Sequence, residues 1–246
     1  MRYGSLFAGI GGFDLGFDRA GLKCKWQVEK DPYCWQVLWE KWPKVDKWDD
    51  VKTFPPDFSN EWNVDVICGG FPCQDISDAG TRVGISGERS GLWSEFARVV
   101  RVLRPRFVVV ENSAALLRRG AGQVFGDLAA CGYSLEWDCL PAIAFGARHI
   151  RDRLFIVATT DAIHDADGNQ TRSFFRPTPQ EQERWWSAAA GNGFAWDGFL
   201  RPDQPRIPRT AHGVPRSVDR TRAIGNAVFP DIAEWIGRRI IESENQ

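Results

Sequence analysis

The sequence predicts an α/β fold: a mostly parallel sheet with helices on both faces, and a small irregular region inserted before the last helix. Three observations carry this reading. Short apolar runs alternate with amphipathic stretches through residue 160, as strands linked by crossover helices do. Between residues 161 and 222 the alternation dissolves into Pro, Gly, Trp and Arg. Periodicity returns at Val228–Ile241, where Ile232, Trp235, Ile236 and Ile240 share one helical face. The predicted organisation is a main α/β domain at 1–160, an irregular region at 161–210, and a return segment at 211–246 that completes the main domain.

Each element has a local reason. Tyr3–Phe7 reads as a buried strand, followed by Gly9-Ile10-Gly11-Gly12 and an amphipathic stretch to Ala20. Cys24–Val28 is the second strand, and Pro32–Trp42 a helix with proline at a permitted first-turn position. Val64–Cys68 is the third strand. Leu92, Trp93, Phe96, Val99, Val100 and Leu103 keep helical spacing behind a Ser90 N-cap, and Pro105 stops that helix. Phe107–Val110, a helix at 122–131, Ser134–Cys139 and Leu154–Thr159 complete the pattern.

Composition narrows the class. The chain has 246 residues, 43% hydrophobic and 26% charged, ordinary values for a globular domain. A chain of this length buries roughly 70% of its unfolded surface and needs no disulfide or metal staple. No apolar run approaches the ~18 residues of a membrane helix, and the N-terminus is too glycine-broken for a signal peptide. The six cysteines (24, 34, 68, 73, 131 and 139) form no CxxC pair and read as reduced thiols of a cytoplasmic protein. Net charge is −1, but residues 147–222 hold 12 arginines against 9 acids, while all seven lysines lie at or before Lys52. Arginine's planar fork suits phosphates and guanine edges.

Chemistry gathers at predicted strand ends. The glycine turn after the first strand lets a ligand approach the main chain at a helix N-terminus. Glu29 ends the second strand twenty residues after Gly9, where an acid bonds a ribose hydroxyl, so the pair points to a nucleotide-type cofactor. Gly69-Gly70-Phe71-Pro72-Cys73-Gln74 follows the third strand. A free cysteine is usually a small buried hydrophobe; that reading suits Cys24, Cys34, Cys131 and Cys139 and fits Cys73 poorly. Residues 75–89, with glycines at 80, 84 and 87 and few apolar anchors, have the composition of a lid. Glu111-Asn112 caps the fourth strand at the same sheet edge, as a functional acid or as a helix-capping pair. Arg151 and Arg153, two apart before the last strand, share a face.

In this order, Phe7-Ala8-Gly9-Ile10-Gly11-Gly12, Gly70-Phe71-Pro72-Cys73-Gln74, Glu111-Asn112, Arg151-Asp152-Arg153 and Gly225-Asn226-Ala227-Val228 resemble the cytosine-C5 DNA methyltransferases. The resemblance spans residues 3–159 and 220–240, and the short insert resembles phage and prophage versions. Three positions depart from the family pattern: Ser113 follows Asn112, His149 stands where a glutamine is common, and Lys30 replaces an aromatic after the ribose-binding acid.

The resemblance implies a Rossmann-like, S-adenosylmethionine-dependent methyltransferase domain at 1–160, a target-recognition region at 161–210, and methyl transfer to C5 of a cytosine flipped out of duplex DNA. It implies Cys73 as the nucleophile at C6, Glu111 at the ring N3, and Arg151 and Arg153 organising base, phosphate and thiolate. For the cofactor it implies Phe7, Gly9, Ile10, Gly11, Glu29, Pro72, Leu92 and Asn226, with Asp50 (or its neighbour Asp49) at the adenine amino group. No metal is expected, nor a membrane, and the protein is expected to be a monomer. An RNA (tRNA) cytosine-C5 methyltransferase of the same architecture and a catalytically silent DNA-binding relative are the alternatives. DNA reading falls to arginines at 172, 176, 184, 201, 206 and 209, among Trp185, Trp186 and Trp196, with Trp185–Trp186 read as a small local core.

Overall fold

A computed structural model describes residues 1–57, 59–72, 92–147, 151–161, 173–191 (186–191 as backbone only) and 225–244. Seven strands form one sheet: β1 (Arg2–Leu6), β2 (Lys23–Val28), β3 (Asp46–Trp48), β4 (Val66–Gly69), β5 (Phe107–Ser113), β6 (Ser134–Pro141) and β7 (Asp152–Thr159). Their order is β3-β2-β1-β4-β5-β7-β6. Strands β1 to β5 pair in parallel, and β7 runs antiparallel between β5 and β6. The order reverses at β1, whose neighbours are β2 and β4. In open α/β sheets such a switch point opens the ligand crevice at the carboxyl ends of the strands.

The central strands are apolar on both faces because both are covered. On one side pack α3 (Leu92–Leu103) and α5 (Ala121–Ala130), the latter preceded by a single helical turn, α4 (Leu116–Arg119). Trp93, Phe96, Val100 and Leu128 there meet Leu6, Ile67, Val108, Val110 and Ile156. On the other side, α1 (Gly12–Ala20) and α7 (Pro230–Glu244) bring Phe13, Phe17, Ile232 and Ile236 onto Tyr3, Val66, Cys68, Val109 and Val157. Residues of β4, β5 and β7 alternate strictly between the two clusters, the period-2 pattern of a strand. Each such side chain stabilises the fold by roughly 1.5–3 kcal/mol on full burial.

The last helix lies on the first because three glycines let it. A Cβ at Gly12 would strike the Val228 carbonyl, one at Gly16 the Pro230 carbonyl, and one at Gly237 would sit 2.9 Å from Ala20 Cβ. Spaced i and i+4, Gly12 and Gly16 form a trough along α1. Asp31 caps α2 (Pro32–Lys41) by accepting the Tyr33 and Cys34 amides at 2.9 and 3.1 Å, with Pro32 next, as the sequence predicts.

Four features depart from expectation. Strand β3 is three polar-leaning residues on the sheet edge, too short for any periodicity to show. Glu111 and Asn112 do not cap a strand or a helix: they lie within β5, which continues to Ser113 because β7 pairs alongside it. The region read as irregular contains α6 (Pro179–Gly191). Its N-terminus is held by a reciprocal cap, Thr178 N–H to Glu181 at 2.7 Å and Glu181 N–H to Thr178 Oγ1 at 3.2 Å. Finally, Phe174 and Phe175 are buried in the α1–α7 side of the core, and Trp185 packs on Phe145 and Trp235 at 4.9 and 5.5 Å. Trp185 therefore packs against the core of the main domain rather than in a core of the insert's own. Trp186's side chain, Trp196 and the Ser90 cap lie outside the described residues.

Candidate active site

The glycine turn is built at the end of β1. Phe7 adopts a left-handed backbone (φ 53°), unusual for an aromatic residue and costly unless its surroundings enforce it. Its ring stacks on Phe96, centroids 6.4 Å apart. Gly9 (φ 57°) and Gly11 (φ 84°) occupy the same left-handed region, where glycine is favoured. Gly11 is the N-cap of α1 and supplies no side chain to its first N–H groups. Among the described residues, a Cβ at Gly9 would meet no atom within 4 Å.

Glu29 closes this turn from β2. Its carboxylate accepts the Gly9 amide at 2.7 Å and the Lys30 and Asp31 amides at 2.8 Å. The glycine turn and the acid, twenty residues apart in sequence, are thus in direct contact. Asp50 accepts the Lys52 amide at 3.0 Å as the cap of a 3-10 turn at Val51–Thr53, and that bond holds its carboxyl below the usual range. Lys30, one of the three departures noted in the sequence, reaches Asp50 with Nζ 3.3 Å from Oδ2. Asp50 is half-buried while Asp49 is exposed. Leu92 packs at the edge of the core where α3 begins, and Asn226 is exposed beside α7.

The second half of the site lies across the switch point. Gly69 and Gly70 continue β4, and a Cβ at Gly70 would stand 2.6 Å from Glu111 Oε2. Only a glycine lets this turn pass over that carboxyl. Phe71 is buried against Trp93, centroids 5.3 Å apart, and its carbonyl accepts the Asn112 side-chain amide at 3.1 Å. Pro72 is half-buried. The turn is therefore fixed from below up to the residue before Cys73. Cys73 itself, Gln74 and the 75–89 segment lie outside the described residues.

Glu111 is buried, and burial pushes its carboxyl above the ordinary range despite the opposing fields of Arg153 and Arg151. Arg153 Nε lies 3.1 Å from Glu111 Oε1. A buried carboxyl with a raised affinity for protons beside a guanidinium can hold a proton and present it, or accept one, at a polar ring atom. Arg151 diverges from its neighbour. Its guanidinium donates to the Gly225 carbonyl, and among the described residues its Nε has no hydrogen-bond partner. Beside it opens a cavity of about 340 Å³, lined also by Ile10, Gly11, Gly12, Leu15 and residues 227–230.

Other thiols are poor candidates for chemistry. Cys34, Cys68 and Cys131 are buried, Cys24 and Cys139 half-buried. Burial raises the pKa of Cys24, Cys68 and Cys139, whereas a nucleophile needs a thiolate. Among the described residues no group of three His, Cys, Asp or Glu side chains could hold a metal, and no helix is long and apolar enough to cross a membrane.

Sequence reasoning overlooked Asn112 as the residue that pins the Phe71 carbonyl. Its position beside Glu111 was visible, but a contact across 41 residues has no local signature. It also overlooked the Lys30–Asp50 pair. A third feature is Asp14, fully buried beneath the glycine turn, which accepts from Gln27 Nε2 at 2.8 Å and from Ser5 Oγ at 3.2 Å. Burial pushes its carboxyl up to about 6.

The sequence matches the C-5 cytosine-specific DNA methylase family over residues 1–207. It is 32% identical over 157 residues to the Type II methyltransferase M.NgoFVII of Neisseria gonorrhoeae, covering 62% of this chain and 42% of that one. To the Type II methyltransferase M2.BsuMI of Bacillus subtilis it is 29% identical over 214 residues, covering 82% and 52%. The chain thus spans about half the length of these curated relatives. In fold it is similar to a protein described as a DNA modification methyltransferase encoded within an E. coli prophage, with a TM-score of 0.66, 20% identity and full coverage of both chains. This chain belongs to the C-5 cytosine-specific DNA methylase family.

Proposed function

We propose that the protein transfers a methyl group from S-adenosylmethionine to C5 of a cytosine in duplex DNA, through a covalent bond between Cys73 and C6. The observation that carries this reading is buried Glu111. It is held by Arg153 and lies so close to Gly70, in the turn that leads to Cys73, that a Cβ there would stand 2.6 Å from its Oε2.

The cofactor pocket fits on its own terms. Among the described residues nothing stands within 4 Å of a Cβ placed at Gly9, Glu29 holds a carboxylate against the Gly9 amide, and Ile10 and Gly11 border a cavity. Gly9, Gly11 and Ile10 would face the amino-acid end, Glu29 the ribose hydroxyls, Asp50 the adenine amino group, and Phe7, Pro72, Leu92 and Asn226 the remaining walls. When bound, S-adenosylmethionine supplies the electrophilic methyl that C5 takes up.

The chain's own residues prepare the base. C5 of cytosine is a weak nucleophile until Cys73 Sγ adds to C6 and moves the ring's electron pair toward C5. Glu111 protonates or hydrogen-bonds N3 as charge develops there, and Arg153 fixes the carboxyl's orientation. Asn112 keeps Phe71 and Pro72 in register so that the thiol meets C6. Loss of the C5 proton and cleavage of the S–C6 bond return the thiolate. A base inside a duplex is out of reach, so the cytosine is flipped outward. Residues 161–210 read the DNA. Arg176 and Arg184 are exposed there, while arginines 172, 201, 206 and 209 lie outside the described residues.

The test is incubation with labelled S-adenosylmethionine and either duplex DNA or tRNA. Label should appear in DNA. Label confined to tRNA would support the RNA enzyme instead, and none in either polymer would contradict both.

A further inference from the structure

We infer that Arg98 is the positioning residue for Asp50: from α3 it holds the turn that this acid opens, and so sets how strongly the adenine amino group of the cofactor is recognised. This rests on the cofactor reading above and adds to it a residue that lies in none of the sequence motifs.

Asp50 leaves the sheet beside Glu29. Strands β2 and β3 pair in parallel with Val28 opposite Trp48, and the Glu29 N–H donates to the Trp48 carbonyl at 3.0 Å. The two acids therefore emerge from neighbouring strands at one edge of the sheet. Asp50 then opens the 3-10 turn Val51–Thr53: its Oδ1 accepts the Lys52 amide at 3.0 Å, and its carbonyl accepts the Thr53 hydroxyl at 3.0 Å. Among the described residues, Oδ2 meets the exposed Lys30 ammonium alone. A carboxylate has about four acceptor positions, so this one keeps room for an N–H donor from a ligand.

The turn's own hydrogen bonds give it a shape but not a direction. Val51 and Phe54 are buried in the core, with the Phe54 ring 4.6 Å from that of Trp26, but apolar packing is non-directional. Direction comes from Arg98, in the middle of α3. Its Nη2 donates to the Val51 carbonyl at 2.7 Å and to the Phe54 carbonyl at 2.6 Å, and its Nε lies 2.7 Å from Glu95 Oε2. One planar guanidinium thus spans the segment that follows Asp50 and is itself fixed by an acid on its own helix. These bonds tie the turn to the helix that starts at Leu92. Hydrogen bonds weaken steeply off their geometry, so an acid whose turn can tilt loses a donor that a bound ligand presents at a fixed place. Arg98 faces the protein's own carbonyls and acts through Asp50.

Calorimetry with two ligands tests this. S-adenosylhomocysteine, the cofactor without its methyl group, carries the adenine amino group, and its 6-deamino analogue has purine in that place. Wild type should bind S-adenosylhomocysteine about tenfold to a hundredfold tighter than the analogue, the worth of a hydrogen bond to a charged group. In Arg98→Met, which keeps an apolar stem, that ratio should fall by about tenfold. A residue that only stabilises the fold would weaken both ligands alike, so an unchanged ratio would overturn the inference. In an Asp50→Ala background, adding Arg98→Met should leave the ratio where Asp50→Ala puts it, and a further fall would also overturn it. If Arg98→Met does not fold, Glu95→Ala decides the matter. It leaves the arginine but removes the partner of its Nε, and should lower the ratio by about threefold; an unchanged ratio would again overturn the inference. Wild type that binds both ligands equally would remove Asp50 from the amino group, and this inference with it. Wild type that binds neither would overturn the cofactor reading as a whole.

Discussion

Glu29 and Glu111 are both acids at the carboxyl edge of one sheet, and they are built in opposite ways. Glu29 is half-buried and takes three backbone N–H donors within 2.8 Å. Glu111 is buried, has Arg153 as its charged neighbour at 3.1 Å, and is displaced by burial toward its protonated form. The first carboxylate already acts as an acceptor for three N–H groups, the role that ribose hydroxyls would need. The second, desolvated, is suited to exchange a proton with a ring nitrogen. Under the proposed function, the same residue type would serve binding or chemistry according to its solvation.

The largest test of that division lies on the chemical side. Cys73→Ala should reduce methyl transfer below detection while S-adenosylhomocysteine affinity stays at the wild-type value. Duplex DNA carrying 5-fluorocytosine should trap the wild type as a covalent complex, because fluorine blocks the final elimination, and should not trap the variant. Turnover by Cys73→Ala, or no trapping of the wild type, would break the covalent account.

Next come the two acids, tested crosswise. Glu111→Gln should lower the single-turnover rate roughly 10²–10⁴-fold, the range for loss of a general acid or base, without weakening cofactor binding. Glu29→Ala should do the reverse, weakening S-adenosylhomocysteine binding by about 10–100-fold in calorimetry. If both variants lose affinity alike, the two acids do not divide the work.

The smallest effect concerns stability. Asp14 has its folded pKa raised to about 6 from 3.8. A carboxyl raised in the folded state contributes stability that is present below the unfolded pKa and lost as pH rises through the folded one. Between pH 5 and 7 the wild type should therefore lose about 1 kcal/mol through this group. In Asp14→Asn, denaturant unfolding should show that loss removed. An unchanged pH slope would mean that Asp14 is not the titrating group.

How much of this was legible depends on locality. Glu111 and the glycine turns could be found because each ends an apolar run, which announces where a sheet edge will be, and Glu29 by its spacing of twenty residues from Gly9. Strand β3 could not, since Asp46-Lys47-Trp48 is an edge strand with one apolar residue. Helix α6 hid behind Pro177 and Pro179 and a mostly polar sequence, and forms because Glu181 and Trp185 bind Trp235 and Arg239 of α7. The antiparallel course of β7 depends on its connection to β6 rather than on its own residues. Residue identities also showed that Arg151 and Arg153 would lie together, but not that one turns to Glu111 and the other to Gly225.

The central claim is methylation at cytosine C5 of DNA, and bisulfite sequencing of DNA from cells that express the protein tests it most directly. Cytosines at one recurring sequence should resist conversion when the wild type is expressed, and convert fully with Cys73→Ala. Complete conversion with an expressed, folded wild type, or protection that persists with Cys73→Ala, would contradict the account.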